Sequence, residues 1–149
     1  MTRVDFYLID LATDGSLDAA VCKLTHKAFR LGHRVYILTP DFTHAQRLDR
    51  LLWIFSAGSF IPHGLSAETP EADLPVLIGY DEPPAAYEDV LIQLAPQVPE
   101  CFSRFQRVAE VVSGADEHKA LARERFRFYR DRGYALQTHN ISAGDFVEA

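Results

Sequence analysis

Positive charge is missing from the middle of this sequence. Between Arg50 and Arg104 there is no lysine or arginine, while Glu68, Glu71, Asp73, Asp81, Glu82, Glu88, Asp89 and Glu100 fall in that gap. A stretch this acidic repels extended polyanions, so a broad nucleic-acid surface is excluded there. Cysteine is scarce too. Cys22 and Cys101 stand too far apart for a metal knuckle or a redox pair, and both are expected to be reduced, buried thiols. Long apolar runs are lacking: Val4 to Ile9 is interrupted by Asp5 and falls far short of the roughly 20 residues of a membrane span. No signal-peptide cleavage pattern follows it, so a cytoplasmic protein is expected.

The catalytic and cofactor motifs are missing as well. The loop Asp10-Leu11-Ala12-Thr13-Asp14-Gly15-Ser16 has one glycine and two aspartates where a phosphate cradle wants several glycines and no negative charge. His26, His33, His44, His63, His118 and His139 are scattered singly, without an H-x-x-x-H pair, and no serine sits in a G-x-S-x-G elbow. No catalytic, cofactor-binding or metal residue is therefore assigned, and a binding module is expected.

What is present suits one globular domain: 149 residues, 48% hydrophobic and 24% charged, with 8 glycines and 8 prolines. Val4 to Ile9 reads as a strand. Leu17, Ala20, Val21, Leu24, Ala28 and Leu31 recur at helical period, with Gly32 as the C-terminal stop. Arg34 to Leu38 reads as a second strand, and Thr43 with Gln46 as a capping box opening a helix through Leu48, Leu51, Leu52 and Phe55. This βαβα start predicts an α/β fold with a mixed, mostly parallel sheet and helices on its faces. Phe60-Ile61, Val76 to Tyr80 and Val90 to Leu94 should add strands, Glu100 to Phe105 a short helix, and Arg107 to Val112 another strand. Ser113 with Asp116 is read as the cap of a last helix that ends at Gly133. One domain over residues 1–140 and a loose tail over 141–149 complete the plan.

That last helix carries a local reversal of charge. At about 100° per residue, Lys119, Arg130, Arg123 and Arg127 fall on one stripe with Phe126 at its border. Leu121, Ala122, Phe128 and Tyr129 should face the core, with Arg125 and Arg132 snorkelling at its edge. A basic stripe bordered by an aromatic suits a short acidic peptide or single-stranded nucleic acid, the plainer alternative being a solvated helix face. The second feature is apolar: Leu48, Leu51, Leu52, Trp53 and Phe55, followed by the Ala57-Gly58 turn and Phe60-Ile61-Pro62, exceed what one core-facing stripe needs. Trp53 and Phe60 are thus candidates for a partner interface or for core filling.

The blocks Phe6-Tyr7-Leu8, Gly32-His33-Arg34-Val35, Arg47-Leu48-Asp49-Arg50-Leu51-Leu52-Trp53, Ser59-Phe60-Ile61-Pro62-His63, Leu121 to Arg130 and Gly133-Tyr134 together resemble the chi subunits of bacterial DNA polymerase III holoenzyme. These are accessory proteins of the clamp loader. The resemblance implies a single three-layer, Rossmann-like α/β/α domain, no catalytic activity, and two protein partners. One is the psi subunit, with its contact near Trp53 and Phe60. The other is the acidic C-terminal tail of single-stranded DNA-binding protein, which ends in an aromatic residue and a free carboxylate and would fall on Lys119, Arg123, Phe126 and Arg127. The chain departs from the better-known members in a shorter loop after the first strand, the acidic segment Asp81 to Asp89 and a tail after His139. A nucleotide-dependent enzyme using the βαβ face and a direct single-stranded DNA binder are the alternatives.

Overall fold

The computed structural model describes residues 1–10, 14–55, 60–68 and 73–141. Among these, seven strands and three α-helices follow in the order β1 (Arg3–Ile9), α1 (Asp14–Arg30), β2 (Val35–Leu38), α2 (Phe42–Ile54), β3 (His63–Leu65), β4 (Val76–Gly79), β5 (Val90–Gln93), a 3-10 helix (Glu100–Arg104), β6 (Arg107–Val112), α3 (Asp116–Asp131) and β7 (Ala135–Ile141). The strands form one sheet in the order β3-β4-β2-β5-β6-β1-β7. Every described pairing is parallel, so the sheet is parallel throughout rather than mixed.

The central strands are apolar on both faces, as a sheet covered by helices requires. Val35, Tyr36, Ile37 and Leu38 are all buried, as are Val76, Leu77 and Ile78. On one face Ile37, Ile78 and Ile92 pack beneath Val21 of α1 and Leu48 and Leu52 of α2. On the other, Phe6, Tyr36, Leu91 and Val108 pack beneath Phe102 of the 3-10 helix and Ala122 and Tyr129 of α3. Each such side chain contributes about 1.5–3 kcal/mol by leaving water. Cys22 lies within the first of these cores, where burial pushes its thiol up to about 12. Cys101 is only half-buried, contrary to expectation, because the 3-10 helix that carries it lies at the surface.

Several boundaries differ from the sequence reading for local reasons. Phe60-Ile61 is not a strand; β3 begins after Pro62, whose missing N–H and fixed φ suit the approach to a strand better than a ladder. The cap of α2 is Asp41, extended at φ −156° and ψ 172°, whose carboxylate accepts from the His44 N–H at 2.8 Å. Thr43, read as half of a capping box, is already inside the first turn. At α3 the cap position is Ala115; the Ser113 hydroxyl instead meets the His118 ring and accepts from the Ala115 N–H at 3.4 Å. Strand β7 lies where the sequence pattern predicts no strand. It extends to Ile141, the first residue of the segment read as a tail, while residues 142–149, the Ala57-Gly58 turn and most of the loop after β1 lie outside the described residues.

Candidate functional site

Helix α3 acquires its orientation from a buried charge network. Glu110, the one acid in the otherwise apolar end of β6, is fully buried. Its Oε1 accepts from Arg125 Nε at 2.9 Å, and its Oε2 accepts from the Tyr129 hydroxyl at 2.7 Å and from Gln93 Nε2 at 3.4 Å. Arg125 also donates to the Pro96 carbonyl at 2.9 Å. Burial raises the Glu110 carboxyl, against the opposing pull of Arg125 and of the three donors. Arg125 is therefore not a snorkelling edge residue: the unsolvated carboxylate beneath it draws the guanidinium under the helix. The sequence signal for this is an acid in an apolar parallel strand, which marks Glu110 but not its partner.

With Ala122, Arg125 and Tyr129 against the sheet, the two flanks of α3 face opposite ways. On one flank Leu121 and Arg125 border the cleft above β5 and β6, and Phe128 meets Phe102 of the 3-10 helix edge to face at 5.8 Å. Leu121, expected in the core, is 40% exposed at that cleft. On the other flank Phe126 is half-buried, its ring 5.4 Å from Phe6 of β1. Lys119, Arg123 and Arg127 rise beside it, all exposed. Among the described residues none of the three has an ion pair or side-chain hydrogen bond, whereas Arg130, the fourth cation of the stripe, pairs with Asp131 at 3.3 Å. All four predicted residues, Lys119, Arg123, Phe126 and Arg127, thus share one flank. Three are unpaired cations around one partly covered ring.

The second predicted pair also meets. Trp53, at the end of α2, is 50% exposed and Phe60 64% exposed, with ring centroids 5.4 Å apart. Beneath them the buried His63 ring lies 4.2 Å from Trp53, its Nδ1 2.6 Å from the Ile61 carbonyl and its Nε2 2.9 Å from the Asp49 carbonyl. Ile54, the next residue of α2, is 77% exposed. The arrangement is an apolar surface fixed from below.

A cleft of about 420 Å³ opens where doubly wound folds hold ligands, at the C-terminal ends of β2, β5 and β6. Its basic side chains are engaged. Arg47 donates to the buried Asp18 at 2.5 Å, His44 donates to the same carboxylate at 2.9 Å, and Arg125 is held by Glu110. Among the described residues no group of three His, Cys, Asp or Glu could hold a metal ion.

The family model for "DNA polymerase III chi subunit, HolC" matches residues 1–137. The chain belongs to the DNA polymerase III chi family. It is 43% identical to the DNA polymerase III subunit chi of Pseudomonas aeruginosa over 141 residues, 95% of this chain and 98% of that protein. It is 36% identical to the Escherichia coli subunit over 143 residues, 93% of this chain and 97% of that one. The Haemophilus influenzae subunit is 28% identical over 137 residues. The chi-family match covers both the cationic flank of α3 and the Trp53–Phe60 patch.

Proposed function

We propose that this chi-family chain is a non-catalytic adaptor of the polymerase III clamp-loader complex that holds the acidic C-terminal tail of single-stranded DNA-binding protein on the cationic flank of α3. The carrying observation is Arg123, exposed and, among the described residues, unpaired, one helical turn from Lys119 on one side and Arg127 on the other, beside the half-buried Phe126. A guanidinium grips a terminal carboxylate through two parallel hydrogen bonds. Phe126 offers a wall for a terminal aromatic ring, and Lys119 and Arg127 attract the acidic residues upstream. Trp53 and Phe60 supply the second contact, for the psi subunit or an equivalent clamp-loader partner. The adaptor works in the cytoplasm; among the described residues no helix is long and apolar enough to cross a membrane.

Binding measurements with three ligands separate this reading from its alternatives. The synthetic tail peptide is expected to bind saturably, and ATP and a bare single-stranded oligonucleotide far more weakly, since the net charge is −6 and the cationic stripe of α3 runs along only one helix. Saturable ATP binding with turnover would replace the adaptor by a nucleotide-dependent enzyme in the strand-end cleft. Oligonucleotide binding tighter than peptide binding would make the flank a nucleic-acid site.

A further inference from the structure

Strand β7 is an edge strand in the sheet, and among the described residues its outer side carries little of the protection such edges usually have. Its seven residues, Ala-Leu-Gln-Thr-His-Asn-Ile, include no proline, lysine, arginine or acid. The parallel ladder fixes which backbone groups are free. The Asp10 N–H donates to the Ile141 carbonyl at 3.1 Å, and residues alternate along a strand, so Ala135, Gln137, His139 and Ile141 address β1. Leu136, Thr138 and Asn140 then turn their N–H and carbonyl groups outward. Opposite Val4, Phe6 and Leu8 in the register, these three also share the sheet face that Val4 and Phe6 bury beneath α3.

The position of α3 makes this edge specific. Leu121, Arg125 and Phe128 occupy the flank toward β5 and the 3-10 helix, so the flank carrying Phe126, Lys119, Arg123 and Arg127 is the one on the β7 side. Phe126 confirms that placement through its contact with Phe6, which is registered with Thr138 of β7. An extended backbone laid along β7 would have its side chains on that face directly beside three unpaired cations.

We propose that the acidic tail peptide binds as an eighth strand on the outer edge of β7, its backbone paired with Leu136, Thr138 and Asn140 while its carboxylates meet the cations of α3. This rests on the tail-binding reading above and adds the mode of recognition: main-chain hydrogen bonds to a sheet edge, with side-chain selection by the helix flank. Charge complementarity selects this occupant over a second copy of the chain, since β7 of a second copy brings no acidic residue to the cations.

Single N-methylation along a synthetic tail peptide is the test, because it deletes one donor and leaves charge and sequence intact. Affinity is expected to fall fivefold or more at alternate positions and to change less than twofold between them, the period-two signature of a paired strand. Hydrogen exchange should slow at the amides of Leu136, Thr138 and Asn140 when the unmodified peptide is bound. Uniform tolerance of N-methylation, with the unmodified peptide still binding and still sensitive to Arg123→Ala, would overturn the strand pairing and leave the adaptor reading standing. Dimerisation through β7 that the peptide does not reverse would overturn it too. Failure of the unmodified peptide to bind would sink the adaptor reading itself.

Discussion

The side chain of Asp18 shows how single residues tie the helices of one face together. It projects from α1, is almost wholly buried, and accepts from both His44 and Arg47 of α2. Burial alone would raise its carboxyl, but the hydrogen bonds and charges of His44 and Arg47 outweigh this and hold it below its ordinary value of 3.8. A carboxylate whose folded pKa is depressed adds stability that is present above the unfolded value and lost as pH falls through the folded one. Urea unfolding should therefore show stability declining below about pH 4. Asp18→Asn should be less stable at pH 7 and flatter with pH below 4; an unchanged acid slope in that variant would assign the decline elsewhere. Neither Asp18 nor the Glu110–Arg125 pair was legible from the sequence as a contact, because each joins residues whose meeting depends on which helix covers which strand. The free cations Lys119, Arg123 and Arg127 were legible, since helical period alone places them together.

Helix ends were the most readable feature at the scale of elements. Gly32 and Gly133 both have positive φ, 86° and 79°. Each closes its helix in the same way: the glycine N–H bonds back to Phe29 or Arg130, and the following N–H to Ala28 or Tyr129. A Cβ at Gly133 would meet nothing within 4 Å, so the cost of Gly133→Ala is conformational alone, about 1 kcal/mol. Chemical denaturation checks this; a neutral substitution would mean that the left-handed residue carries no strain. Helix starts were less readable, because Asp, Thr and Ser cluster before both α2 and α3 and only backbone geometry selects which position is the cap. Strand β7 is faint in the sequence for a related reason. An edge strand covered on one face only by the flank of a helix needs few apolar residues, and Ala135 to Ile141 shows neither a continuous apolar run nor strong β-branching.

For the whole molecule, the strand order keeps the two candidate surfaces apart. Trp53 rests on His63 of β3 at one edge of the sheet, and the cationic flank of α3 borders β7 at the other. Six strand spacings separate these edges, roughly 29 Å at about 4.8 Å each, so the two surfaces do not compete for space. Replacing Trp53 and Phe60 together by serine is expected to weaken capture of the psi subunit about tenfold or more and to leave tail-peptide affinity unchanged; equal loss at both surfaces would mean that they are coupled. The parallel α/β class, the helical stripe of α3 and the apolar helix-turn segment around Trp53 and Phe60 were open to sequence reasoning. The assignment of the two surfaces to opposite edges was not, since strand order is set by crossovers that leave no local pattern.

The most direct test of the adaptor account is a titration of fluorescent tail peptide against the wild-type chain and Arg123→Ala, with urea unfolding of both. Arg123 is exposed and among the described residues makes no ion pair or side-chain hydrogen bond, so the variant should unfold as the wild type does. Its affinity for the peptide should fall by about 2 kcal/mol, roughly thirtyfold, with smaller, salt-sensitive losses in Lys119→Ala and Arg127→Ala. An Arg123→Ala chain that unfolds normally and binds the peptide as tightly as the wild type would contradict the account.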